Sequence, residues 1–382
     1  VKAALVLAED TRFDVTLVSD KPSFGYYPSM YHTATGGSSD VSSLPLNEIF
    51  QDKKIKIIQK SAVNLDRQRK VVLLKGKQEI AYDKIILAMG VVTNFFHIPG
   101  LDEHAYGIKS LEDAERFKCH LHKQLVVKKR PDQNYVIVGG GPTGIELAGV
   151  LGQYMHRVCE KHGLGTRSIN VDLVEAAPRL VPRMPKDVSR AILRQLRRRG
   201  VKVHLNMVVK AQTAEELVVN GKPIHSQTVV WTAGVANHPF FAEQGFQLAK
   251  NGKVRVDQYL QAEPGIFVIG DNADTPYSGM AQTALRDGIY VGSALIEVED
   301  GKSPSPYRAK KPIYVMPAGP NWAAVLWGPV RIYGRIGWWL RRAADFMGYR
   351  DYESWFRATK HWFAEYDHQE LCPHCEDSPV KK

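Results

Sequence analysis

The chain has 382 residues, 44% hydrophobic and 24% charged, enough for two domains and an appendage, each with a core. It contains no apolar run of about 18 residues, which excludes a spanning helix and leaves any membrane contact peripheral. The net charge of +11 is uneven, with ten Lys/Arg against three Asp/Glu between Arg308 and Lys360. Four cysteines, Cys119, Cys159, Cys372 and Cys375, are too few for a disulfide framework and suit a reducing compartment.

In chain order, residues 1–8 read as a helix with Ala4, Leu5 and Ala8 on one face, followed by a strand, Phe13 to Asp20, that ends in acid. This is the second half of a βαβ nucleotide unit, so the chain reads as N-terminally truncated by roughly 15 residues, the size of a strand and glycine loop. Lys21 to Gly37 reads as a loop. Period-two stretches at Ile55–Ile58, Val71–Leu74 and Tyr82–Met89 predict strands of a mixed sheet. The last delivers Gly90, where backbone can press on a flat cofactor. A helix is expected from Ser110 to Gln124.

The next stretch carries the strongest motif. Val136, Ile137 and Val138 read as a buried parallel strand, Gly139, Gly141 and Gly144 form G-x-G-x-x-G, and Ile145, Leu147 and Ala148 open a helix. Such a loop turns tightly, lets backbone approach a pyrophosphate and points a helix start at the anion. Val171–Glu175 is the answering strand, and its terminal carboxylate suits an adenosine ribose 2′-OH. Glu175 lies 36 residues after Gly139 rather than roughly 20, because Gly152–Ser168 lengthens the helix and its loop. No Arg follows Glu175 at once, so NADH is favoured over NADPH, with Arg179 near enough to moderate the preference.

A helix is expected over Pro185–Gly200, with basic residues on its solvated face, and strands over Val201–Leu205, Leu217–Val219, Val229–Trp231 and Lys253–Val256. The strand Val229–Trp231 enters Thr232-Ala-Gly234. Gly265–Ile269 reads as a buried strand delivering Gly270 and Asp271, a carboxylate placed for a chain of hydroxyls. A helix opens near Ala281 and Gln282. Ile332, Ile336, Leu340, Ala343 and Met347 then fall at helical spacing, with Arg331, Arg335, Arg341, Arg342 and Asp345 elsewhere around the helix. A second stripe, Tyr352, Trp355, Phe356, Thr359, Trp362, Phe363 and Tyr366, is aromatic, with Arg357, Lys360 and His361 off it. Aromatic and basic faces of this kind suit a bilayer interface; packing on the protein's own body is the alternative. The tail motif Cys372-Pro-His-Cys375, with His368 before it, is short of four zinc ligands, and no metal site is expected.

Taken together, four blocks resemble the two-dinucleotide-binding flavoproteins, and among them the type II, non-proton-pumping NADH:quinone dehydrogenases. They are Tyr27-Pro-Ser-Met-Tyr31 with Ala34-Thr-Gly36, Leu87-Ala-Met-Gly90 with Thr93-Asn-Phe-Phe96, Gly139–Gly149, and Gly270-Asp-Asn-Ala273 with Ala281-Gln-Thr-Ala284. The resemblance spans residue 1 to about 365. It implies an α/β fold with two Rossmann-like domains, for FAD and NADH, and a C-terminal amphipathic helical segment on a membrane surface. The corresponding boundaries are 1–112 and 251–305 for the FAD domain, 113–250 for the NADH domain, and 306–382 for the membrane segment and tail.

Site by site, the resemblance implies FAD contacts at Asp20, Gly90, Gly270, Asp271 and Ala281, and NADH contacts at Gly139, Gly141, Gly144, Glu175 and Gly234. Glu146 corresponds to a catalytic carboxylate near the nicotinamide and the quinone path; its ordinary role would be a helix-start acid. Gln282 and Arg286 correspond to the quinone site, with Gln282 also catalytic. Three departures stand out: the FAD glycine loop is missing from the sequence, Ser19 occupies the usual ribose-acid position with Asp20 next to it, and Arg286 replaces a second glutamine. Disulfide reduction is disfavoured because the first cysteine is Cys119, whereas that chemistry needs a cysteine pair beside the flavin.

The expected activity is therefore hydride transfer from NADH to FAD and electron transfer to a quinone. The expected location is peripheral, on the cytoplasmic face, bound through residues 330–366. No nucleic-acid partner is expected, and a homodimer is left open. The alternatives are a soluble NADH-dependent reductase of a protein electron carrier and a non-catalytic dinucleotide-sensing or nucleic-acid-binding protein.

Overall fold

A computed structural model describes residues 1–164 and 169–365. The chain starts with α1 (Lys2–Leu7) and β1 (Val15–Ser19), which pairs in parallel with β2 (Ile55–Gln59). An antiparallel meander follows over 62–81, then β3 (Ile85–Leu87) and, after a crossover strand at Val91–Thr93, α2 (Leu111–His122). The helix ends in a π-helical turn, Lys123–Val127. Only Ile85–Leu87 of the expected strand Tyr82–Met89 is ladder-paired, because the segment beyond turns toward Gly90.

The nucleotide unit comprises β4 (Asn134–Val138), α3 (Pro142–Lys161), β5 (Asn170–Glu175), α4 (Lys186–Arg198), β6 (Lys202–Leu205) and, after a second meander over 209–225, β7 (Thr228–Trp231). Its sheet runs β6-β5-β4-β7, all parallel. The run of Val and Ile without polar alternation reflects strands covered on both faces, and Val136, Ile137, Leu173 and Val229 are fully buried. A short antiparallel pair, Val91–Thr93 with Val235–Asn237, carries the chain into and out of this unit.

On return, β8 (Ile266–Val268) pairs in parallel with β3, and α5 (Ala281–Glu299) packs against α1. The expected strand Lys253–Val256 makes only isolated bridges, from Val254 to Leu248 and Ala273, because turns at Gly252 and after Asp257 leave no length for a ladder. Beyond Ser305 the structure has an element the periodicity did not predict: β9 (Tyr314–Pro317), β10 (Ala323–Trp327) and β11 (Val330–Gly334) form an antiparallel sheet. Ile332 belongs to β11, and the helix expected to include it, α6, spans Arg335–Arg350; α7 spans Trp355–Ala364.

The two C-terminal helices are polar inside and apolar outside. Arg341, Arg342, Asp345, His361 and Glu365 are buried, whereas Ile336, Trp339, Met347, Trp355, Phe356 and Phe363 are exposed. Their remaining aromatic residues do pack on the body: Tyr349 joins Tyr26, Leu44 and Phe50 in one core cluster, with Phe346 and Tyr352 against it. The aromatic stripe is therefore divided, part of it packed on the protein's own body and part of it exposed. Among the described residues no helix is long and apolar enough to cross a membrane. Cys159 is a free, buried thiol. Tyr366, His368, Cys372 and Cys375 lie outside the described residues.

Candidate active site

At the end of β4 the three glycines do different things. Gly139 has φ +116°, and a Cβ there would lie 2.7 Å from Thr232 Oγ1; at Gly144 it would lie 1.9 Å from the Gly139 carbonyl oxygen. A Cβ at Gly141 would meet nothing within 4 Å. Two glycines thus permit packing, and the third leaves open space in front of the first turn of α3, where a phosphate fits. Glu175 stands beside this loop: Oε2 accepts the Gly140 N–H at 2.5 Å and Oε1 the Ala177 N–H at 2.7 Å. Each carboxylate oxygen retains a lone pair for a ribose hydroxyl. Arg179 is engaged elsewhere, donating to the carbonyls of Pro182 and Met184. Gly234, past β7, accepts the Asn94 N–H at 3.1 Å, and the Phe96 ring lies directly on it.

The second set gathers at the ends of β3 and β8. The Gly90 N–H donates to Asn272 Oδ1 at 2.9 Å, and Asn272 Nδ2 donates back to the Gly90 carbonyl at 2.5 Å. The Gly270 N–H donates to the buried Asp287 at 2.9 Å. Asp271, between Gly270 and Asn272, is half-buried, and its side chain has no hydrogen-bond partner among the described residues. Its charge acts on Tyr27, Lys109 and Lys253. A partly desolvated carboxylate without a partner, beside two glycine turns, fits a polyhydroxylated ligand chain. Asp20 follows β1 and is exposed; Ala281 is the first residue of α5 and also exposed.

Glu146 links the nucleotide loop to the C-terminal helices. Its Oε1 accepts from Arg341 Nη1 at 3.2 Å, Arg341 Nε donates to Asp345 at 2.7 Å, and Nη2 donates to the Pro28 carbonyl at 2.8 Å. Burial pushes the Glu146 carboxyl up to about 7, with Arg341 and Lys109 pulling the other way. Burial likewise lowers the Lys109 ammonium, which feels both Asp271 and Glu146. One helix further, Glu365 is ion-paired with Arg342 and bonded to Ser29 Oγ at 3.0 Å and Tyr349 Oη at 3.1 Å. Burial raises its carboxyl to about 7.

Gln282 and Arg286 are both turned onto one extended segment. The Gln282 amide donates to the Ile313 carbonyl at 2.9 Å and accepts its N–H at 3.2 Å; Arg286 Nη1 donates to the Lys310 carbonyl at 2.9 Å. Sequence reasoning missed Arg341, Asp345 and Lys109. For Arg341 and Asp345 a signal existed, an (i, i+4) pair of opposite charge, but it reads as a solvated helix face. Lys109 carries no local signal.

The family described as pyridine nucleotide-disulphide oxidoreductase matches residues 1–288. A type II NADH:quinone oxidoreductase of Staphylococcus haemolyticus is 26% identical over 312 residues, covering 76% of this chain and 77% of that protein. Among solved structures, NDH2 of Plasmodium falciparum in complex with NADH superposes with a TM-score of 0.86 at 16% identity, covering 97% of both chains. The sulfide:quinone oxidoreductase of Aquifex aeolicus gives 0.75 at 19% identity, covering 100% and 97%. At those identities the structural likeness speaks to the fold.

Proposed function

The chain belongs to the pyridine nucleotide-disulphide oxidoreductase family, and from that membership we propose that it is a type II, non-proton-pumping NADH:quinone oxidoreductase. One observation carries this reading within the family. The carboxylate at the mouth of the dinucleotide loop, Glu146, is held by Arg341 from a helix whose opposite face exposes Ile336, Trp339 and Met347. The nucleotide site and a membrane-suited surface therefore meet in one ion pair. Residues 1–118 contain no cysteine, so this stretch carries no thiol pair of the kind the disulfide branch of the family uses.

Gly139, Gly141 and Gly144 receive the NADH pyrophosphate on the first turn of α3, and Glu175 takes the adenosine ribose. Gly234 and Phe96 flank the nicotinamide end. Gly90, Gly270, Asp271 and Ala281 hold FAD, with Asp271 on its hydroxyl chain and Asp20 at the ribose end. FAD held there would supply hydride acceptance from NADH and two-electron transfer to the quinone. Glu146, with a carboxyl near 7, can hold or release a proton at neutral pH beside that path. Gln282 and Arg286 fix the 310–313 segment that borders the quinone. The protein sits on the cytoplasmic face of the membrane through the outer faces of α6 and α7.

Anaerobic NADH added to the FAD-loaded full chain should bleach the flavin band, and a short-chain quinone should restore it at a catalytically competent rate. Bleaching without quinone reoxidation would overturn the proposal, and reoxidation by a small protein carrier instead would install the soluble-reductase reading.

A further inference from the structure

The helix α4 carries Lys186, Arg190, Arg194, Arg197 and Arg198 at three- and four-residue spacing, which places them on one face. All five are exposed, and none is in an ion pair among the described residues. The opposite face is ordinary core, with Val188, Ile192 and Leu196 buried. The single acid of the helix, Asp187, is already engaged: it pairs with Arg331 at 2.7 Å and accepts from Tyr333 Oη at 3.2 Å. Like charges four apart on a helix repel, so the helix keeps this stripe at a cost that a counter-anion would remove.

Its location gives the stripe a partner. Asp187 lies on the same helix face, and its contacts lie on β11, the edge strand of the C-terminal sheet. Arg194 acts electrostatically on the same Tyr333 phenol, and Arg199 closes the far end by donating to the Pro320 carbonyl at 2.6 Å. The helix thus starts beside β11, where Asp187 holds Arg331, the residue after exposed Val330 at the hairpin tip. Exposed Arg335, Ile336 and Trp339 follow where the chain leaves β11 for α6.

We propose that the basic face of α4 is the headgroup-binding half of a membrane-docking surface, and that it takes anionic lipid beside the apolar half on α6 and α7. This rests on the membrane reading above and extends it to a segment distant in sequence. Apolar insertion and attraction to anionic headgroups act together at such surfaces. Each Lys or Arg at a negatively charged leaflet multiplies partition by roughly fivefold, with reach limited to about a Debye length.

The test uses the full chain with Arg190→Gln, Arg194→Gln, Arg197→Gln and Arg198→Gln combined, sedimented with phosphatidylcholine vesicles and with vesicles containing phosphatidylglycerol. Binding to the anionic vesicles should fall at least tenfold while binding to neutral ones holds. The four Arg→Lys replacements, which keep charge, should restore it. Unchanged anionic binding overturns the proposal, as does equal loss on both vesicle types, or loss of duplex DNA retention alone, which would assign the stripe to a polynucleotide. The pair Trp339→Ser and Phe356→Ser separates the two readings: if neither vesicle type then loses protein, the membrane reading itself fails.

Discussion

Single residues at the nucleotide loop divide into those that serve packing and those that leave room for a ligand. Gly144→Ala should destabilise the fold, because its Cβ has no space against the Gly139 carbonyl. Gly141→Ala should leave the melting temperature unchanged, since its φ of −80° suits any residue, while weakening NADH binding about tenfold by titration. Equal melting loss in both would remove the distinction. Glu175→Ala should narrow the NADH-over-NADPH ratio of kcat/KM. Because Arg179 is spent on two carbonyls, the unmutated preference for NADH should be clear, and equal use of both cofactors would sink the Glu175 assignment. Arg341→Met removes the only cation hydrogen-bonded to Glu146 among the described residues and leaves Asp345 beside it, so denaturant unfolding should show a loss of about 3–5 kcal/mol, as for a broken buried pair.

Elements show why α6 and α7 are not a removable anchor. Deleting 330–382 would strip β11 from its sheet and withdraw Arg341 from Glu146, so vesicle release by that deletion could not be separated from damage to the site. Point changes on the outer faces are the cleaner probe. Phe356, 83% exposed, should tolerate Phe356→Ser with no change in melting temperature but lower vesicle binding. At the start of α5, Gln282→Ala frees both hydrogen bonds to Ile313. Stopped-flow absorbance should then show NADH reduction of the flavin within a few-fold, with slower reoxidation by quinone, and amide exchange should rise over 310–313. Equal damage to both half-reactions, with flavin retained, would dissociate Gln282 from the quinone side.

Across the whole molecule, the buried carboxylates make stability depend on pH in an unusual direction. Burial raises the folded carboxyls of Glu146 and Glu365 from 4.5 to about 7, so the native state binds more protons than the unfolded chain between those values. Their contribution is fully present below 4.5 and is lost as pH rises through about 7. Melting temperature should therefore fall as pH increases from 5.5 to 7.5, and Glu146→Gln should flatten that slope. An unchanged slope would mean that Glu146 does not titrate in this window. Asp10 works oppositely, held down to about 2 by its hydrogen bonds from Arg12, but its titration lies far below that range.

The sequence by itself determined the parts whose physics is local. A glycine-spaced turn between a Val/Ile strand and a helix, answered by a strand ending in Glu175, leaves few structures open, because close approach and the parallel ladder restrict residue type at every step. Gly270-Asp-Asn was legible in the same way. What only the tertiary structure decided were the meanings of charges in the C-terminal helices. Periodicity marks which residues share a face but not which face turns inward, and ordinary hydrophobicity would put Ile336 and Met347 inside and Arg341 and Asp345 outside. The reverse holds because Glu146 and the Pro28 carbonyl, nearly 200 and more than 300 residues away along the chain, supply partners that make burying a guanidinium tolerable. The sheet over 314–334 carries no local signal for a related reason: Arg331 and Ile332 fit a helical spacing, and only pairing with the preceding strand gives β11 its conformation.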